Sequence, residues 1–536
     1  MKKRTGDKLN KYTDILCDAA LMIMLALSVM GLALISYYAA TGTYLFRRVG
    51  AESAYITDSF LKQGIVFALF AAAVLILGHL WEKHCKTEDS ASDLILIICS
   101  VLSFVIGIIY LKDHPYYMDG DQINTFYAAV YASEKGSAIQ YAMFQPGGYI
   151  GIYPQQKGLV FFYLILHGLF GEKLYTAMQY IHLLYPQMIL HAGYHALKEE
   201  KISAFGRSIY CILILTCLPL YLYIPYMYGD LGSIAFSFCF ALFLIRFLNS
   251  GKKLDLALMS LFGSIALLLR MQIWILLIAA CIVLFLEFVR KKKILLLIAC
   301  AMIVLVPYLS DLAIDTYFEK VSGYEDVDGI PAACWLAMGL QETNGNPGVY
   351  NRYNQGTFGD CGFDAEKASE IAMLDFHESL DNFREDHEYA KWFFETKLRQ
   401  EWTAPDMEGF TMTSIWDALS GTDPSEAPEW LYELYWGKYY DKVINIANRY
   451  QTIIYLSAFI LAAFELIFFR KKKNLSHLVQ LCLIYFLGGF IFFTLWENMS
   501  RYMLPFFMSL VWLVPFMTDD LMTIKDLFKG RKSPKH

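Results

Sequence analysis

SDLILIICSVLSFVIGIIYLKDHPYYMDGDQINTFYAA, Ser92 to Ala129, decides the class of the chain. Residues 93–111 are apolar over a length that carries a helix across a bilayer. Directly beyond stand two carboxylates, Asp119 and Asp121, separated by Gly120. Tyrosines flank them, as they flank membrane–water boundaries. A second, amphipathic stretch then begins at Gln122.

Working outward, the same alternation recurs. Hydrophobic residues make up 57% of the 536 and charged ones only 18%, with the apolar ones gathered in runs of about twenty. This is the pattern of an all-α polytopic membrane protein, not of a soluble chain with several cores. Twelve spans are expected: 19–40, 63–81, 93–111, 175–197, 204–224, 231–248, 254–270, 272–289, 294–312, 451–469, 476–495 and 501–517. The first is too long for a signal-peptide core and lacks a small-residue cleavage site, so it reads as a retained span. The run Gly158 to Phe170, "GLVFFYLILHGLF", is too short to cross and is expected to lie at the interface or to dip in and return.

Basic clusters orient the chain. Lys2 to Lys11, Lys198/Lys201/Arg207, Arg246/Lys252/Lys253, Arg290 to Lys293, Arg470 to Lys473 and the tail from Lys525 fall on one side. By the positive-inside rule that side is cytoplasmic, with both termini inside; Arg47 and Arg48 are the exception.

The expected organisation is a membrane core over 1–312 with a first external loop at 112–174, an external acidic segment over 313–450, and closing spans with a basic tail over 451–536. The 313–450 segment holds 26 of the 51 acidic residues and 10 of the 45 basic ones, a formal charge of −16. Solubility explains that charge, but the segment is far too long for a connector. Its first part is rich in Gly, Asn and aromatics, which suits a binding loop. Its second part, Asp364 to Leu398, reads as helical, and "EWLYELYWGKYYDKV" as an amphipathic helix returning to the membrane.

Cysteine does not discriminate. Most of the 11 lie within spans, and Cys334 and Cys361 share the external segment as a candidate pair. There is no CxxC, no HExxH and no phosphate-cradling glycine loop, so nucleotide and nucleic-acid partners are not expected. Asp119-Gly120-Asp121 reads equally well as a turn capping the helix that follows, a role that leaves a carboxylate free to act at the membrane surface. Arg270 and Arg501 stand at outer span ends, where charge marks function by default. The bland alternatives are snorkelling for Arg270 and pairing with Glu497 for Arg501.

The order of motifs resembles the GT-C superfamily of membrane glycosyltransferases, in its bacterial branch akin to protein mannosyltransferases and aminoarabinose transferases. "MDGDQ" opens the first large external loop, followed by an amphipathic helix and "YPQQKGLVFFYLILHGLFG" (Tyr153 to Gly171). A span ending in "YMYGD" with Asp230, a late large external loop and "WENMSRYMLP" (Trp496 to Pro505) complete the match, which covers most of the chain. Many members carry adjacent acids where Gly120 intervenes here, and two spans precede the acidic loop's own span instead of one.

The resemblance implies an inverting enzyme in the bacterial plasma membrane. Its donor is a sugar on a polyprenyl phosphate, and its acceptor a cell-envelope glycan, lipid or protein at the outer face. Asp121, which precedes Gln122 as in the family pattern, is the expected general base, with Asp119 as its companion. Arg501 and Arg270 are expected to face the leaving phosphate, and Tyr153, Gln155, Gln156, Glu497 and Tyr502 to line the substrate. Asp230 is a candidate ligand for a divalent cation or, equally, a helix cap. The rival readings are a transporter or flippase for a lipid-linked saccharide, and a polysaccharide polymerase or ligase.

Overall fold

A computed structural model describes residues 2–46, 53–85, 87–114, 118–134, 142–324, 328–414, 427–472 and 475–528, with side chains from Thr13 onward. Arg47, Arg48, Tyr116, Tyr117 and the tail beyond 528 lie outside the described residues. The chain is a multi-pass, almost wholly helical membrane protein. Its only described sheets are two short antiparallel hairpins, Gly42–Phe46 with Ser53–Thr57 and Glu342–Thr343 with Asn346–Pro347.

Among the described residues, ten helices are long and apolar enough to cross a membrane. They are Thr13–Thr41, Phe60–His84, Glu88–Asp113, Pro154–Glu199, Gly229–Ser250, Met271–Lys291, Ile294–Ser322, Tyr440–Phe469, His477–Leu495 and Ser500–Thr523. Ten of the twelve expected spans fall within them. The other two are shorter. Residues 204–224 form a twelve-residue helix, Ala204–Leu215, and a separate turn, Leu218–Leu222, because Pro219 cannot donate to a helix continuing through it. Residues 254–270 form the 17-residue helix Lys253–Leu269.

The run Pro154–Glu199 is jointed. Lys157–Phe170 ends at Gly171, and Leu174–His182 hands over to Leu184–Glu199. Lys157–Phe170 packs against Gly120–Ser133, Lys253–Leu269 and Ile294–Ser322. It thereby braces the helix Gly120–Ser133 against the bundle.

The segment expected at 313–450 is mostly helical and intrudes on its neighbours. The helix Ile294–Ser322 runs past its expected end, and the helix from Tyr440 starts before the expected span at 451. Asp364 and Asp386 cap Ala365–Glu385 and His387–Trp402 by accepting from Lys367 N and Tyr389 N. The expected amphipathic helix at 429–443 is a seven-residue helix, Glu429–Tyr435, followed by a break. Cys334 and Cys361 sit in one small apolar cluster, and both are free thiols. The segment is anchored by Trp402, fully buried against Phe486, Phe490 and Phe506 of the bundle.

Candidate functional site

The acidic motif forms a tight entry to the helix Gly120–Ser133. Gly120 adopts φ +51, a conformation that carries a steric penalty for any side chain. Asp119 occupies the N-cap with extended backbone, yet its carboxylate caps no backbone N–H and instead accepts from Gln122 Nε2 at 3.5 Å. Asp121, in the first turn, is exposed. Its charge is felt across a cluster of tyrosines. Burial first, then the neighbouring Tyr228 and Asp121, push the Tyr149 hydroxyl well above the ordinary range. Tyr153 is raised by burial, by Tyr350 and by Asp121.

Opposite stands a pair of guanidinium groups. A Cβ on Gly229 would come 2.1 Å from the Leu269 carbonyl oxygen, so only glycine lets the helix Gly229–Ser250 begin against the end of Lys253–Leu269. That close approach sets Asp230 beside Arg270, with Arg270 Nη2 to Asp230 Oδ1 at 2.9 Å. Arg501 Nε reaches the same oxygen at 4.0 Å, and Arg501 Nη1 donates to the Tyr226 hydroxyl. Aromatic faces enclose both cations: Arg270 lies 5.0 Å from the Tyr228 ring centre, and Arg501 lies 5.4 Å from that of Tyr502. Arg501, buried, and Arg270, nearly so, thus share the buried Asp230 carboxylate, with Glu408 and Glu497 also near enough to act on Arg501.

The loop between the last two long helices supplies the third wall. Ser500–Met503 is a 3₁₀ turn, so Glu497 and Arg501 do not meet as an i, i+4 pair on an α-helix would. Glu497 is buried and accepts from the Tyr502 hydroxyl at 3.0 Å. Burial, with Asp121 and Glu408 adding to it, pushes Glu497 up to about 7, against the pull of Tyr502 and Arg501. The loop is pinned from behind by Lys397, whose Nζ donates to the carbonyls of Trp496 at 2.5 Å and Gly339 at 2.7 Å. Glu408 accepts from Ser500 N at 2.7 Å and from its hydroxyl at 3.0 Å, and burial raises it to about 7. Gln156 Nε2 donates to the Tyr228 hydroxyl at 2.6 Å.

Contacts and charge interactions therefore draw Asp121, Tyr153, Gln156, Asp230, Arg270, Glu497, Arg501 and Tyr502 into one neighbourhood, here called the cleft, with Asp119 two residues from Asp121. Gln155 is exposed and makes no described side-chain hydrogen bond. A divalent cation does not fit at Asp230: two guanidinium groups face its carboxylate, and no group of three His, Cys, Asp or Glu among the described residues is placed to hold a metal. His182, Nδ1 at 3.1 Å from the Ile224 carbonyl oxygen, and His191, Nε2 at 3.2 Å from the Ser100 hydroxyl, are packed hydrogen-bonding groups.

Sequence reasoning missed Tyr149, Tyr226, Tyr228, Lys397 and Glu408. The tyrosines of "YIPYMYGD", Tyr223 to Asp230, were a readable signal, since three in six residues lead into the acid. For Lys397 and Glu408 there was none. No protein-family model and no curated protein matches the chain.

Proposed function

We propose that the chain is a membrane glycosyltransferase of the GT-C kind, moving a sugar from a polyprenyl-phosphate donor to an acceptor hydroxyl. The observation that carries this reading is the cleft's polarity. An exposed carboxylate, Asp121, whose charge reaches Tyr149, Tyr153, Tyr228 and Glu497, shares its neighbourhood with two guanidinium groups, Arg270 and Arg501, ordered on Asp230.

Glycosyl transfer needs both ends. The acceptor oxygen attacks the anomeric carbon and its proton passes to the Asp121 carboxylate. The bond from that carbon to the phosphate oxygen breaks, with inversion, and its electron pair leaves on the phosphate. That growing negative charge is stabilised by Arg501 and Arg270, which are already oriented by tyrosine faces and Asp230. Because the arginines are preorganised, little reorganisation is required at the moment of bond breaking. Tyr502 and Glu497 hold the floor beneath them. The polyprenyl tail stays in lipid alongside the bundle, so the membrane itself is a partner, and no step calls for a bound cofactor.

The test in cells is a deletion strain with its lipid-linked sugars profiled. One polyprenyl-phosphate sugar should accumulate, and a gene copy encoding Asp121→Asn should not reverse it. An unchanged profile would contradict the reading.

A further inference from the structure

Away from the cleft, the segment above the bundle encloses a groove of about 550 Å³, within the range of small-ligand sites. One wall is a single face of the helix Ala365–Glu385, where Asp375, Glu378 and Asn382 follow at helical spacing. The other is the turn after Gly339, with Gln341 and Glu342. Several of these groups are fixed in advance. Asp375 accepts from the Tyr353 hydroxyl, Glu342 from Gly345 N at 3.2 Å, and Gln341 Oε1 from Asn351 Nδ2 at 3.0 Å. Phe383, buried, and Tyr389 stack on each other at 5.7 Å and 26°, and Trp392 stacks on Tyr389 in turn, so the paired rings close one end of the groove. No Lys or Arg lines it.

We infer that this groove binds an uncharged saccharide. Amide and carboxylate oxygens set at fixed positions accept from neighbouring sugar hydroxyls, and the partly exposed Tyr389 ring borders them as apolar surface for the sugar's C–H groups. The carboxylates turn away phosphates and uronates, the reverse of the arginine-lined cleft. Groove and cleft are laced together. Gly348 N donates to the Gln341 carbonyl at 2.7 Å, and Asn498 N, beside Glu497, donates to the Gly348 carbonyl at 2.8 Å. If the cleft transfers sugar, the saccharide held here is the acceptor glycan; that assignment alone rests on the reading above.

The experiment presents full-length protein in lipid nanodiscs to an array of neutral, uronate-bearing and phosphate-bearing oligosaccharides, without donor. Neutral oligosaccharides should bind and the anionic ones should not. Glu378→Ala combined with Asn382→Ala, both exposed positions, should weaken binding at least roughly tenfold. Arg501→Ala should retain it. An array with no neutral ligand, or one on which the double variant binds as the wild type does, overturns the groove. Transfer from a polyprenyl-phosphate sugar is measured separately: binding without transfer leaves the groove standing and removes the acceptor assignment, whereas transfer beside a silent array removes the groove alone.

Discussion

Two clusters at opposite ends of the bundle use the same residue types and differ in how completely they are satisfied. The helix Gly229–Ser250 separates them by roughly 33 Å, at 1.5 Å per residue. At the Ser250 end, Arg207 is buried, and its guanidinium donates to the Ile202 carbonyl at 3.2 Å, to the Tyr194 hydroxyl at 2.9 Å and to Asp89. Tyr194 in turn donates to Asp93 at 2.6 Å, which also faces Lys198 at 3.5 Å. At the Asp230 end, two arginines share a single carboxylate, and Arg501 Nε has no hydrogen-bond partner among the described residues. An arginine whose three nitrogens all donate, as those of Arg207 do, holds helices together. One left with an unused donor, as Arg501 is at Nε, is suited to receive an anion.

The largest predicted effect breaks the under-satisfied cluster. Arg501→Ala should reduce sugar transfer by roughly 10²–10³-fold per folded molecule. Arg501→Lys should restore it only in part, since lysine lacks the planar fork that grips a phosphate twice. Arg207→Ala should do the reverse, lowering stability by on the order of 1–3 kcal/mol while turnover per folded molecule changes little. Equal losses of turnover in both would erase the distinction between the two ends.

A smaller effect follows from the buried acids near the Asp230 end. Glu408 and Glu497 are both raised by burial, from an ordinary 4.5 to about 7. A carboxyl raised on folding binds its proton more tightly in the native state. The stability it contributes is complete below about 4.5 and is lost as pH rises through 7. Thermal melts in detergent should therefore show a lower melting temperature at pH 8 than at pH 6, and Glu408→Gln should flatten that difference. A melting temperature that rises over this interval would contradict the assignment.

The subtlest test asks whether the ends face different compartments. In a background without native thiols, Glu378→Cys should react with an impermeant reagent in intact cells, whereas Lys252→Cys should react only after permeabilisation. Both positions are exposed, so burial cannot mimic protection. Labelling of both in intact cells would remove the opposed orientation.

Sequence patterning reached the membrane class because apolar runs are local and long. Two expected spans appear as shorter helices: 204–224 parts after Leu215, ahead of Pro219 in the next short helix, and 254–270 forms the 17-residue helix Lys253–Leu269. Asp121, Arg270 and Arg501 were legible as charges where lipid chemistry disfavours them. Their convergence was not, because it depends on Gly229 meeting Leu269, a contact without a sequence signature. Tyr226 and Tyr228 carry a signal only through their spacing ahead of Asp230, in "YIPYMYGD". Glu408 sits in the most acidic stretch, where carboxylates are ordinarily solvated, yet it is buried against Ser500. The pairing of Glu497 with Arg501 failed for a local reason: i, i+4 logic presumes an α-helix, and the turn there is 3₁₀.

The central claim is the proposal that the cleft around Asp230 transfers sugar with Asp121 as its base. Purified protein, reconstituted with a labelled polyprenyl-phosphate sugar and cell-envelope acceptor, tests it directly. The N-cap is Asp119, and Asp121 lies exposed in the first turn, so Asp121→Asn removes no cap and should fold normally. The wild type should move label to acceptor; Asp121→Asn should lose at least about 10²-fold in rate while retaining donor binding, and Asp119→Asn should be milder. Transfer at the wild-type rate by Asp121→Asn, or no transfer by the wild type from any such donor, would contradict the account.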